Sequence, residues 1–113
     1  MNSLFLLNLF MKKILIIGGG AMGSAFSVPC IDNNNKVFIT EPHSQRFIKN
    51  LSSKNKFHSG LKINLSKKLI FKKYAKELFL EKYDLIVVAL SLSGINFVGK
   101  ELKKYKVKTP VLV

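Results

Sequence analysis

Three glycines and one carboxylate carry most of the chemical information in the chain. Gly18, Gly20 and Gly23 form a G-x-G-x-x-G turn directly after the apolar run Ile14-Leu15-Ile16-Ile17, and Glu41 ends the next apolar run, Val37-Phe38-Ile39-Thr40. In this arrangement Gly18 lets the chain turn sharply off a strand. Gly20 presents no side chain to a pyrophosphate, and Gly23 lets the following helix pack close to a sheet. The pyrophosphate rests on the helix N-terminus, where unpaired N–H groups and the positive end of the helix dipole face it. A carboxylate closing the second strand reaches the ribose hydroxyls of an adenosine. Strand, glycines, helix and acid together predict a dinucleotide-binding site.

That carboxylate also bears on which dinucleotide is taken. It accepts hydrogen bonds from ribose hydroxyls and repels a 2′-phosphate, so Glu41 is expected to favour NAD(H), with NADP(H) the alternative. Arg46 and the neighbouring lysines act in the opposite sense. No Ser, His or Lys forms an acid–base pair in the sequence. His43 follows the second strand, His58 falls in a polar stretch, and both read as exposed polar residues. Cys30 has no cation beside it to lower its pKa and reads as a buried structural thiol.

The elements that must position these residues follow from periodicity. Residues 12–17 read as strand one, and a helix is expected over residues 21–31, with Met22, Ala25, Phe26, Pro29 and Cys30 at the spacing of a buried face. Pro29 deletes a backbone hydrogen bond there and should bend the helix. Asp32-Asn33-Asn34-Asn35 is a polar turn, residues 37–40 are strand two, and Ser44 can cap a short helix ending at Leu51. Residues 52–60 read as a loop, residues 61–65 alternate like a half-exposed strand, and residues 69–71 are strand three of the sheet. A short helix is expected over residues 74–82, a central strand over residues 84–90, a helix over residues 94–105, and the start of another strand at residues 111–113. Alternating strands and helices predict a doubly wound parallel sheet of Rossmann type, truncated near strand five.

Composition sets outer bounds. At 113 residues, the chain allows one domain with a modest core. A single cysteine excludes an internal disulfide and fits a reducing cytoplasm. The apolar start, residues 1–10, is too short to span a membrane, and Lys12 and Lys13 follow it where a signal peptide would place its charges in front. It reads as an upstream extension with no role in the fold, and residues 11–113 as an incomplete dinucleotide-binding domain. The net charge of +13 invites a nucleic-acid reading. Yet of the 19 basic residues only Arg46 is an arginine, whereas base reading favours Arg. The lysines read as a solvated surface, with no nucleic-acid partner expected.

Three segments carry a family resemblance. Gly18-Gly19-Gly20-Ala21-Met22-Gly23-Ser24-Ala25, Lys56-Phe57-His58-Ser59-Gly60-Leu61-Lys62-Ile63 and Leu85-Ile86-Val87-Val88-Ala89-Leu90-Ser91 resemble the N-terminal domain of NAD(P)-dependent glycerol-3-phosphate dehydrogenase. The resemblance implies reversible hydride transfer between a nicotinamide cofactor and the dihydroxyacetone phosphate/glycerol 3-phosphate pair, which feeds phospholipid synthesis. It also implies that Ala21 and Met22 lie against the cofactor, that Ser91 lies near it at the end of a strand, and that the partners are the dinucleotide and a small phosphorylated substrate, with a homodimer one allowed assembly. The catalytic lysine it implies belongs to a helical domain beyond Val113, so this stretch alone is expected to bind cofactor without turning it over. The chain departs from the family pattern at His58-Ser59, where Leu-Pro is usual, and at Leu90-Ser91, where Val-Pro is usual. Other readings of the same opening are a β-hydroxyacid or ketopantoate-type reductase and a non-enzymatic nucleotide-sensing regulatory domain.

Overall fold

The run Ile14-Leu15-Ile16-Ile17 has no polar alternation because both of its faces are covered. In the computed structural model, which describes residues 11–51 and 56–113, this run lies in β1 (Lys13–Ile17), the middle strand of a five-stranded sheet. The chain continues through α1 (Ala21–Asp32), β2 (Lys36–Thr40), α2 (Gln45–Leu51), β3 (Phe57–His58), β4 (Ile63–Asn64) and β5 (Ile70–Phe71). A 3-10 helix (Lys76–Leu80), β6 (Leu85–Val88), α3 (Leu92–Lys104) and β7 (Val111–Leu112) complete it. The sheet order is β5-β2-β1-β6-β7, with all four pairings parallel. Parallel strands need crossovers over the faces of the sheet, which is why β1, β2 and β6 read as almost continuous apolar runs.

Two cores result. Ile14, Ile16, Val37 and Ile39 pack on one face with Cys30 of α1, Phe47 and Leu51 of α2, and Leu65 and Leu69. Leu15, Ile17, Phe38, Ile86 and Val88 pack on the other with Leu78 and Phe79 of the 3-10 helix, Tyr83 and Val98 of α3. Helices on both faces of a parallel sheet make this a Rossmann-type α/β fold, with its ligand-bearing crevice expected at the C-terminal ends of the strands.

The structure corrects the sequence-based reading at three places. Residues 61–65 do not form one strand: β4 pairs antiparallel with β3, Phe57 opposite Asn64 and His58 opposite Ile63. Residues 59–62 make the turn of this small hairpin, and Lys62 takes a positive φ of 56°. The helix expected over residues 74–82 is only the 3-10 turn. In α1 the buried residues are Gly23, Ser24, Ser27 and Cys30, whereas Met22, Ala25 and Pro29 are exposed and Phe26 is half-buried. The physical reason is proximity: a Cβ on Gly23 would stand 2.0 Å from the Gly18 carbonyl oxygen, so only small side chains fit on the face turned to the sheet. Pro29 lies inside α1, which continues to Asp32. The sequence reading of residues 1–10 as an extension falls outside the described residues.

Candidate functional site

The glycine turn leaves β1 between the ends of β2 and β6. Gly18 has φ +125°, a conformation that L side chains rarely adopt, and its N–H donates to the Thr40 carbonyl at 2.8 Å. A Cβ there would meet the Ala89 carbonyl oxygen at 2.2 Å. Gly19 is excluded from carrying a side chain by the Phe47 ring, 2.1 Å from its ideal Cβ. Gly20 differs from the rest, since nothing stands within 4 Å of the position its Cβ would take. Three glycines are therefore required by packing. The fourth keeps an open approach clear at the start of α1, where no side chain caps the helix. Uncapped N–H groups beside an open, side-chain-free surface suit the pyrophosphate of a dinucleotide, so the residues present fit that cofactor.

Glu41 lies beneath the turn. It is 7% exposed, its Oε1 accepts the Gly19 N–H at 2.9 Å, and its Oε2 accepts the N–H groups of His43 at 2.7 Å and Ser44 at 3.1 Å. Three backbone donors compensate the buried charge and join the glycine turn to the loop after β2. Ser44 caps α2 as expected, its Oγ accepting the Phe47 N–H at 3.2 Å.

A further support comes from the β3–β4 hairpin. His58, read from sequence as an exposed loop residue, is buried at 8% exposure. Its Nδ1 accepts the Leu61 N–H at 3.1 Å and its Nε2 lies 2.9 Å from the Gly19 carbonyl oxygen. Because an amide N–H can only donate, Nδ1 is the acceptor and Nε2 carries the proton, giving a neutral imidazole whose two nitrogens are both engaged. Ser24 Oγ donates to the same Gly19 carbonyl at 3.0 Å. Gly19, Gly20, Ser44, Arg46, Phe47, His58, Ser59 and Gly60 line a cleft of about 180 Å³ along this side of the turn. Hollows of about 410 and 420 Å³ open around Lys72 and Glu77 and around Leu80 and Lys108, and neither is lined by a residue of the glycine turn.

The remaining expected residues stand around the opening. Ala21 and Met22 are exposed in the first turn of α1, with Met22 at 77%. Ser91 is exposed at the N-cap of α3, close in sequence to Ala89, whose N–H donates to the Ile17 carbonyl at 2.9 Å. His43 stacks obliquely on Phe97 of α3 with ring centroids 5.8 Å apart, and Phe97 lies 6.2 Å from Tyr74. Burial pushes the Tyr74 phenol up to about 12, with Glu101 and Tyr105 adding to the shift. Cys30 is a buried free thiol, as the sequence reading expected, and desolvation raises its pKa. Among the described residues no His, Cys, Asp and Glu cluster could hold a metal ion, and no helix is long and apolar enough to cross a membrane.

Sequence reasoning missed Gly19, Ser24, Phe47 and His58. Only the run of three consecutive glycines hinted at the first; Ser24 acts through a local bond to the Gly19 carbonyl, and Phe47 and His58 act through contacts between elements far apart in sequence.

Comparison with known proteins agrees with the geometry. A family model described as the N-terminus of NAD-dependent glycerol-3-phosphate dehydrogenase matches residues 13–113. The NADP(+)-dependent glycerol-3-phosphate dehydrogenase of Archaeoglobus fulgidus is 34% identical over 92 residues, covering 81% of this chain and 28% of the relative. The chain thus spans little more than a quarter of that relative's length.

Proposed function

The chain belongs to the NAD-dependent glycerol-3-phosphate dehydrogenase family as its N-terminal domain, and we propose that it supplies the NAD(P)-binding half of an enzyme interconverting glycerol 3-phosphate and dihydroxyacetone phosphate. The observation that carries this reading is the contrast within the turn: packing requires glycine at positions 18, 19 and 23, while Gly20 faces open space at an uncapped helix start. Packing alone does not call for a glycine at 20, whereas close approach by a pyrophosphate does.

In this reading the backbone N–H groups from Gly20 to Gly23 hold the pyrophosphate, with Gly18 setting the turn and Ala21, Met22 and Ser91 bordering the cofactor. Glu41 contributes by fixing the turn from beneath. The bound nicotinamide supplies or accepts the hydride. His58 is not free to serve as an acid, because both of its ring nitrogens are engaged, while His43 stands exposed beside Phe97. Protonation of the substrate oxygen is assigned to a lysine of the remaining part of the enzyme, which acts in the cytoplasm on a small phosphorylated substrate.

Gly20→Val tests the reading. Gly20 has an extended backbone, φ −68° and ψ −173°, and an unobstructed Cβ direction, so valine should fold there without strain. NADH fluorescence titration should show affinity reduced by at least about tenfold, equivalent to ~1.4 kcal/mol, with an unchanged melting temperature. Unchanged affinity would refute the assignment.

A further inference from the structure

We propose that His58 is a positioning residue of the cofactor site, holding the Gly19–Gly20 peptide so that the Gly20 N–H faces the pyrophosphate. The proposal rests on the dinucleotide-binding reading above and adds to it a residue from outside the glycine turn. The Gly19 carbonyl accepts two hydrogen bonds, from Ser24 Oγ at 3.0 Å and from His58 Nε2 at 2.9 Å. In a planar trans peptide the C=O and the following N–H point in opposite directions, and among the described residues there is no cis bond. Fixing the carbonyl therefore fixes the Gly20 N–H on the opposite side.

The peptide on the other side of Gly19 is also held, by its N–H to Glu41 at 2.9 Å. Gly20 itself has no side chain and no neighbour near its Cβ direction to restrain it. Orientation of its N–H thus depends on what grips the Gly19 carbonyl. His58 is built for that grip. The Leu61 N–H occupies Nδ1 at 3.1 Å and leaves the proton on Nε2, while Phe47 lies against the ring with centroids 6.2 Å apart. The short β3–β4 hairpin brings the imidazole in, and the register that pairs His58 with Ile63 fixes its place.

The test uses the whole enzyme and compares His58→Phe and His58→Leu, which remove the donor, with His58→Gln, which restores one. Calorimetric titrations with NADH, ADP and adenosine separate pyrophosphate binding from adenosine binding. Loss of one hydrogen bond's worth of orientation should weaken NADH and ADP about tenfold in the Phe and Leu variants. Adenosine affinity should stay unchanged, and His58→Gln should remain within about twofold of the parent. Parental ADP affinity in a folded Phe or Leu variant, or equal losses for ADP and adenosine, overturns the proposal. Failure of the parent itself to bind NADH or ADP refutes the dinucleotide reading instead. In that event the ligand-free Gly20 amide resonance decides: multiple or broadened signals in His58→Leu with a single parental signal in His58→Gln support the positioning role, and an unchanged signal in His58→Leu overturns it.

Discussion

Glu41 shows how a residue can be legible by type and position while its contacts are not. Its place at the end of β2 follows directly from the apolar run before it. Its partners do not, because the Gly19 N–H it accepts becomes its neighbour only when β1 and β2 align in register, Ile17 beside Thr40. The carboxylate faces three donors with two oxygens. Glu41→Gln keeps the shape but turns an NH2 group toward at least one of those N–H groups, leaving a buried donor unsatisfied. A loss of about 1–3 kcal/mol in stability is expected from that mismatch, read as a lower melting temperature, with weaker NADH binding as the turn loosens. A melting temperature equal to the parent's would show that the three bonds do not hold the turn. His58 carries the same lesson: its role depends on a hairpin whose pairing leaves little pattern in a two-residue strand.

At the scale of elements, the central strands were readable because both faces are buried and the residues must be apolar. The course of α1 was readable as well, but its buried face was not. Periodicity assigned Met22, Ala25, Phe26, Pro29 and Cys30 to the core; Cys30 is buried and Phe26 half-buried against it, but Met22, Ala25 and Pro29 are exposed and the sheet takes Gly23, Ser24 and Ser27 instead. Hydrophobicity identifies a core face only where the distance between elements admits large side chains. Here the glycine turn draws the helix too close, and the buried hydroxyls satisfy themselves locally, Ser27 Oγ donating to the Ser24 carbonyl at 2.6 Å. Steric room and not polarity is therefore the selecting property. Ser27→Leu should overpack the contact and cost about 1–3 kcal/mol, while Val28→Ser on the exposed side should change stability by less than about 0.5 kcal/mol. Thermal unfolding of the two variants checks this, and equal effects would refute the close-packed face.

For the molecule as a whole, the question is which charges reach the cofactor. The net charge of +13 cannot be treated as one field. Lys13 and Lys36 begin β1 and β2, whereas the glycine turn and Glu41 follow their far ends. A five-residue strand is about 16 Å long, beyond the roughly 8 Å screening length at physiological salt. Those lysines contribute little at the turn. Arg46 differs because it is exposed and lines the same cleft as Gly19 and Gly20. Glu41 alone would be expected to disfavour a 2′-phosphate, but its oxygens are directed to backbone donors and its side chain is almost fully covered. The geometry therefore shifts the balance toward Arg46, and NADPH should bind at least as tightly as NADH at low ionic strength. Added salt should narrow the difference, and Arg46→Gln should weaken NADPH by about three- to tenfold, in the range of a charge-assisted hydrogen bond partly screened by water, while leaving NADH nearly unchanged. Dissociation constants for both cofactors at two salt concentrations provide the measurement. A tenfold preference for NADH that salt and Arg46→Gln leave intact would place the Glu41 carboxylate on the ribose after all.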